Sequence, residues 1–279
     1  FTGTRDEQVY YTYRDGSLAT AFGGSADLVN GELTSMTSAI GTVSVDTADI
    51  VEAGDVEELA WARWTNGEVT DNGVFGDNTI QLGANGGYHV MSGERTLALP
   101  GSGRVEYDLV ATTSATDNRG TTPGTITGDL SILFGTTSKV GYNMKMDLGG
   151  MSWAVATNGG AANPDNSEIG IVAGSGGFTF GGIFSSTSGD VAATGGACAG
   201  TCIVNIGGAL YGENAKYAGV AMNVTDASAA NGTIGASGLA IFAAAGDGGV
   251  PNNNPYAAVR QGITPARTGI AQAVGNTPP

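Results

Sequence analysis

Two cysteines, Cys198 and Cys202, and one histidine, His89, are the side chains of this chain best suited to covalent or metal chemistry. The thiols stand in the run Gly-Ala-Cys-Ala-Gly-Thr-Cys. Small residues between them can turn the chain and bring the sulfurs together. The spacing admits a disulfide, free thiols, or part of a metal site. Two thiols and one distant imidazole do not supply the four ligands of a structural zinc site, so the disulfide is the preferred reading. A disulfide implies an oxidising, extracytoplasmic compartment, at a cell surface or secreted. Its closed loop is short, which limits its entropic contribution to about 2 kcal/mol.

His89 lies in the alternating run Gly-Gly-Tyr-His-Val-Met-Ser-Gly and reads as a strand histidine with one ring nitrogen hydrogen-bonded. No Gly-x-Ser-x-Gly elbow and no P-loop occur. Gly174-Ser175-Gly176-Gly177 precedes a strand-like run, not a helix, so it does not cradle a phosphate. Glu106 and Asp108 share the polar face of one strand and read as solvated. Asp71-Asn72-Gly73 and Asp77-Asn78 read as turns. Asn223-Val224-Thr225 and Asn231-Gly232-Thr233 match the N-glycan acceptor pattern. The reading is a non-enzyme with no catalytic residues, no cofactor and no bound metal.

The elements that would carry these residues are strands. Gly accounts for 48 of 279 residues and charged residues for 13%. That much Gly disfavours a helical bundle, because Gly costs about 1 kcal/mol per helical position relative to Ala. Hydrophobic residues at 41% exclude charge-driven disorder. Arg104–Thr112 alternates strictly, with Val105, Tyr107 and Leu109 on one face. Lys139–Asp147 and Met151–Thr157 alternate too, separated by Gly149-Gly150. Further runs at Thr125–Phe134, Glu168–Ala173, Gly177–Ser185, Cys202–Tyr211, Tyr217–Val224 and Thr233–Ala243 continue the pattern. Glycines 128, 141, 181, 182 and 219 would suit bends and bulges. The fold class is therefore all-β: an antiparallel barrel of about eight strands, preceded by a smaller β-rich region and followed by a short helical tail.

Three regions follow. Residues 1–95 form an acidic, β-rich N-terminal region in which Asp15-Gly16 marks a hairpin. Within it, Asp46–Glu58 fits a short helix or an acidic loop, and 65–87 a surface loop or loose hairpin. Residues 96–245 form the barrel. Residues 246–279 form a Pro/Asn-rich tail. There Asn254-Pro255…Gly262 and Thr264-Pro265…Gly275 carry the cap, first-turn Pro and terminal Gly of two short helices. Tyr256, Val259, Arg260, Ile263, Arg267 and Ile270 are the tail's candidate interaction residues.

The net charge of −15 is at odds with nucleic-acid binding and with anionic membrane surfaces. Residues 248–279 hold two arginines and no acid, whereas residues 1–58 hold 11 acids and two bases. No apolar run reaches the length of a membrane-spanning helix, so the chain is not expected to span a membrane.

The segment Gly208-Ala209-Leu210-Tyr211-Gly212-Glu213-Asn214-Ala215-Lys216-Tyr217-Ala218-Gly219-Val220 resembles the Gly-x-aromatic-aromatic-Gly-x-x-Ala-x-x-x-Gly-Gly signature near the end of transferrin-binding-protein-B-like barrels. Leu210 stands where that family commonly has an aromatic, and Ala218 where it has Gly. The resemblance extends over about residues 100–245, with Ile234–Ala243 in the place of the closing strand. It implies a barrel beside a handle-like region, a place on a bacterial surface or envelope, and non-enzymatic binding of a partner. Two functions are carried forward. The first is an extracytoplasmic barrel that binds a partner, a protein or a small ligand, through its loops. The second is a structural subunit that assembles with copies of itself, in a filament or surface layer, through its tail.

Overall fold

The computed structural model describes residues 2–13, 18–29, 32–38, 41–56, 58–73, 77–157, 162–166, 171, 177–185, 191–194, 198, 201–227 and 232–245. The two helices and the six interaction residues expected in the tail lie outside the described residues, as does Asn231.

The described residues lie mostly in strands, which form two antiparallel sheets. The first sheet holds β1 (Thr2–Tyr13), β2 (Leu18–Val29), β3 (Glu32–Ser38), β4 (Gly41–Val45), β5 (Asp49–Val56), β6 (Leu59–Thr65), β7 (Gly67–Asn72), β8 (Asp77–Leu82) and β9 (Tyr88–Glu94). Its order is β5-β6-β9-β1-β2-β3-β4-β7-β8. The second sheet holds β10 (Gly103–Thr112), β11 (Thr116–Asp117), β12 (Thr125–Phe134), β13 (Lys139–Leu148), β14 (Met151–Ala156), β15 (Gly177–Ser185), β16 (Val191–Thr194), β17 (Thr201–Tyr211), β18 (Tyr217–Asp226) and β19 (Ile234–Ala244). Its order is β15-β17-β18-β19-β10-β12-β13-β14-β16, and β11 adds to β19.

The second sheet curls on itself as an open barrel. Val105 and Tyr107 of β10, Met144 of β13, Trp153 and Val155 of β14, and Val204 and Ile206 of β17 join one apolar core. Strands far apart in the order can share a core only if the sheet bends round it. The charged residues Arg104, Glu106, Asp129 and Lys145 face outward and are not buried. An apolar inside and a charged outside are the reverse of a membrane barrel. Among the described residues no helix is long and apolar enough to cross a membrane.

The first sheet folds over a second core. Trp64 and Tyr88 stack with ring centroids 5.8 Å apart, surrounded by Leu33, Met36, Val43 and Val69. The Trp64 indole N–H donates to the Leu33 carbonyl at 2.9 Å, fixing β6 against β3.

Several sequence expectations change here. Asp46–Glu58, expected as a short helix or an acidic loop, contains β5. Of the two alternatives for 65–87, the hairpin is the one found: β7 pairs with β8 from Gly67↔Leu82 to Asn72↔Asp77. Of the expected strand at Glu168–Ala173 only Ile171 is described, and it is not in a strand. The bulges fall at Arg5/Asp6, Asp27/Leu28, Ile50/Glu52 and Leu109/Ala111, not at the glycines named above. Gly141 instead permits close approach: a Cβ there would lie 2.4 Å from the Pro164 backbone nitrogen.

Candidate functional site: a groove on the barrel and the seam between the sheets

The two sheets meet through a seam whose composition follows from strand register. On the first sheet, Gly54↔Trp61↔Met91 and Val56↔Leu59↔Gly93 form apolar rows across β5, β6 and β9. The adjoining row is polar, Glu52↔Arg63↔His89. On the outer face of the barrel, Ala209↔Gly219↔Ile241 and Gly207↔Ala221↔Leu239 cross β17, β18 and β19. The next row there is also polar, Asn205↔Asn223↔Ser237↔Thr116. The apolar residues pack as one cluster, with Trp61 and Met91 against Tyr211, Tyr217 and Ile241. Small residues on the barrel side let the backbones approach: a Cβ on Gly219 would meet the Met91 sulfur at 2.5 Å. This explains why every residue of β19 is buried. Strands covered on both faces lose the alternation of a half-exposed strand.

The polar row closes across the seam. Arg63 Nη2 donates to Glu52 Oε1 at 2.8 Å and Nη1 to the Gly86 carbonyl at 3.0 Å. Glu52 Oε2 accepts the Ser114 N–H of the barrel at 2.6 Å. His89 engages both ring nitrogens, Nδ1 with Thr113 Oγ1 at 2.9 Å and Nε2 with Thr116 Oγ1 at 2.8 Å. The sequence anticipated one such bond; a strand residue sandwiched between two sheets finds a second. Burial, reinforced by the nearby Arg63 charge, lowers the His89 pKa from 6.5 to about 3. The imidazole is therefore neutral and structural at physiological pH.

At the signature turn, Thr96 N–H donates to the Leu210 carbonyl at 2.9 Å and its hydroxyl to the Gly212 carbonyl at 2.8 Å. Asn214 and Ala215 adopt left-handed φ of 57° and 58°. The Tyr107 hydroxyl holds the turn by donating to the Ala215 carbonyl at 2.7 Å. These contacts give the motif a structural role: it joins β17 to β18 and anchors the link between the sheets.

Cys198 and Cys202 form a disulfide with Cα atoms 5.3 Å apart. The sequence did not reveal Asp226, fully buried beside them, whose Oδ2 accepts the Cys198 N–H at 2.6 Å. The link pins the turn before β17 to the end of the barrel core. Reduction, or Cys202→Ser, is expected to lower stability by about 2 kcal/mol. Urea unfolding of native and reduced protein measures this, and a loss near zero would show that the turn is held without the link. Asn223 of the first glycan-acceptor match is buried and closed to modification in the folded chain.

One concavity lies on the barrel in the groove between Thr121–Thr125 and the β13–β14 hairpin, with a volume of about 750 Å³. Gly149 and Gly150 turn the hairpin with φ of 58° and 80°. The groove is shallow and open, lined by Thr122, Pro123, Lys145, Asp147, Met151 and Ser152 among others. Lys145 Nζ donates to Asp147 Oδ2 at 2.7 Å. The bonds from Lys145 and Ser152 hold the Asp147 carboxyl below its ordinary pKa. Hydroxyls, one ion pair and an apolar floor can bind by contact and hydrogen bonding. Glu106 is held by Arg104 at 2.6 Å and by Ser131 at 3.1 Å, an exposed network consistent with a solvated face.

No family model matches the chain, and no curated protein is similar to it in sequence at a significant level. Among solved structures, it is similar to a point mutant of transferrin binding protein B from Haemophilus parasuis, at 12% identity and a TM-score of 0.42. That match covers 86% of this chain and 45% of the other. The isotype 1 transferrin binding protein B of serogroup B Neisseria meningitidis is similar at 9% identity and a TM-score of 0.36, covering 85% and 43%. The chain spans less than half the length of these neighbours. The likeness is one of fold and assigns neither family nor function.

Proposed function

We propose that this chain is a non-catalytic, extracytoplasmic β-barrel protein that binds a protein partner, with the groove between Thr121–Thr125 and the β13–β14 hairpin as its contact surface. The observation that carries this reading is the shape of the groove. A small molecule is normally held in a pocket that buries most of its surface. This concavity is wide and shallow, so a small ligand would keep much of its surface in water. A protein partner gains affinity instead from a broad surface with a few apolar anchors, and Met151 and Pro123 would serve as such anchors. The disulfide supports an oxidising compartment. The seam supports the same function by fixing the first sheet on the barrel, so that the groove stands on a rigid scaffold.

The test is capture by the immobilised full chain from the surface fraction of its source cells, alongside Ser152→Trp and Ala154→Arg. Both substitutions sit on partly exposed groove positions. A partner retained by the wild type and lost, at least tenfold, with both variants supports the reading. Retention unchanged by both variants removes the groove from it. Regular assemblies of the chain alone that vanish on deleting residues 249–279 would replace it with the self-assembling subunit.

A further inference from the structure

We propose that Cys198, Cys202 and Asp226 form a redox-gated site for a thiophilic divalent cation such as Zn²⁺, locked as a disulfide in oxidising surroundings and able to take metal once reduced. The three residues come from separate backbone elements, each already fixed. Cys202 lies in β17 and Asp226 ends β18, and the two are direct partners in the ladder. Both sit at positions in step with the inward-facing Val204 and Val224, at the end of the barrel core. Cys198 is on the preceding turn with a left-handed φ of 52°, held by its N–H bond to Asp226. All three are buried, and their ligand atoms lie within 4.8 Å of one another.

The chemistry balances with a small dithiol as reductant. Both sulfurs are buried, so attack follows local opening of the Cys198 turn: one thiolate of the dithiol attacks a cystine sulfur, and its second thiol resolves the mixed disulfide. Two electrons pass to the protein, which gains two thiols, and the reductant leaves as a cyclic disulfide. The cation then binds both sulfurs and releases their two protons to solvent. The Asp226 carboxylate supplies the third ligand and water the fourth. Zn–S bonds of about 2.3 Å in a tetrahedron put the two sulfurs about 3.8 Å apart. With the Cα atoms 5.3 Å apart, side-chain rotation opens the sulfurs to that distance. Two thiolates select against Ca²⁺ and Mg²⁺, which require oxygen ligands. His89 takes no part, because both its ring nitrogens are engaged in the seam.

The full chain is reduced anaerobically with a dithiol, freed of reductant and titrated with Co²⁺ and Cd²⁺. One equivalent is expected, with a thiolate-to-metal charge-transfer band and, for Co²⁺, the visible bands of a tetrahedral site that Zn²⁺ bleaches. The oxidised chain is expected to show none of these signals. Asp226→Asn is expected to weaken binding about tenfold or more, and Cys198→Ser to abolish the one-equivalent signal. Because Asp226→Asn also touches a buried contact, wild-type alkylation is followed in parallel: Zn²⁺ is expected to slow modification of both thiols. No uptake by the reduced wild type, equal uptake by the oxidised form, unchanged affinity in a folded Asp226→Asn, or no protection from alkylation would each overturn the proposal.

Discussion

Replacing Arg63 by methionine is expected to destabilise the chain by about 3–5 kcal/mol. The guanidinium side chain is 8% exposed and its partner carboxylate, on Glu52, 19%. At that burial the pair is not a surface ion pair worth a fraction of a kcal/mol. Glu52 also accepts the Ser114 N–H from the barrel, so its charge ties the two sheets together. Without Arg63 the carboxylate must stay charged in the seam, take up a proton, or drag water in. The Gly86 carbonyl loses its donor as well. Replacing both partners, Glu52→Leu with Arg63→Met, removes the stranded charge and is expected to recover much of the loss. Urea unfolding followed through Trp fluorescence reports it, since Trp61 and Trp64 flank Arg63 in β6. A loss below about 1 kcal/mol for Arg63→Met would show that water already screens the pair.

The sequence carried the strands and hid the seam, for reasons that particular residues make plain. Arg104–Thr112 alternates because β10 has one face in the barrel core and the other outside. Even there, the bulge between Leu109 and Ala111 turns Val110 into the seam, which periodicity alone does not show. Asp46–Glu58 concealed β5 because the bulge between Ile50 and Glu52 breaks the alternation. Ile50 and Ala53 pack in the core of the first sheet while Glu52 faces the barrel. A carboxylate in a half-apolar run reads as solvated until its cation appears, and Arg63 is 11 residues away. Asn223 and Ser237 lie in the polar row on the outer face of the barrel, yet both are fully buried. Asp226 joined the cysteines only through the β17–β18 register, which fixes the partner of Cys202. The expected disulfide needed no such long-range information.

Acidification is expected to destabilise the chain through His89 before most carboxylates titrate. The unfolded histidine takes up a proton near pH 6.5, whereas the buried one does so only near pH 3. Between these values the unfolded state binds one more proton than the folded state. Stability therefore rises with pH across this window and is lost as pH falls through it. The slope approaches 1.36 kcal/mol per pH unit, giving a loss of about 2 kcal/mol from pH 6.5 to 5 and on the order of 4 kcal/mol by pH 3. The imidazolium would also have two donors where the neutral ring has one donor and one acceptor. The Thr113 hydroxyl already accepts the Leu239 N–H at 2.9 Å, so it would have to take a second donor. Both charge and hydrogen-bond direction thus oppose protonation, and Arg63 adds to the first. His89→Gln keeps polar contact with the threonines and removes the titration. It is expected to be less stable than wild type at pH 7.5 but flat between pH 6.5 and 5. The wild-type slope minus the variant slope, from urea midpoints at four pH values, isolates the histidine from the carboxylates. Equal slopes would mean that the seam opens to solvent at His89, and that the first sheet is not fixed on the barrel there.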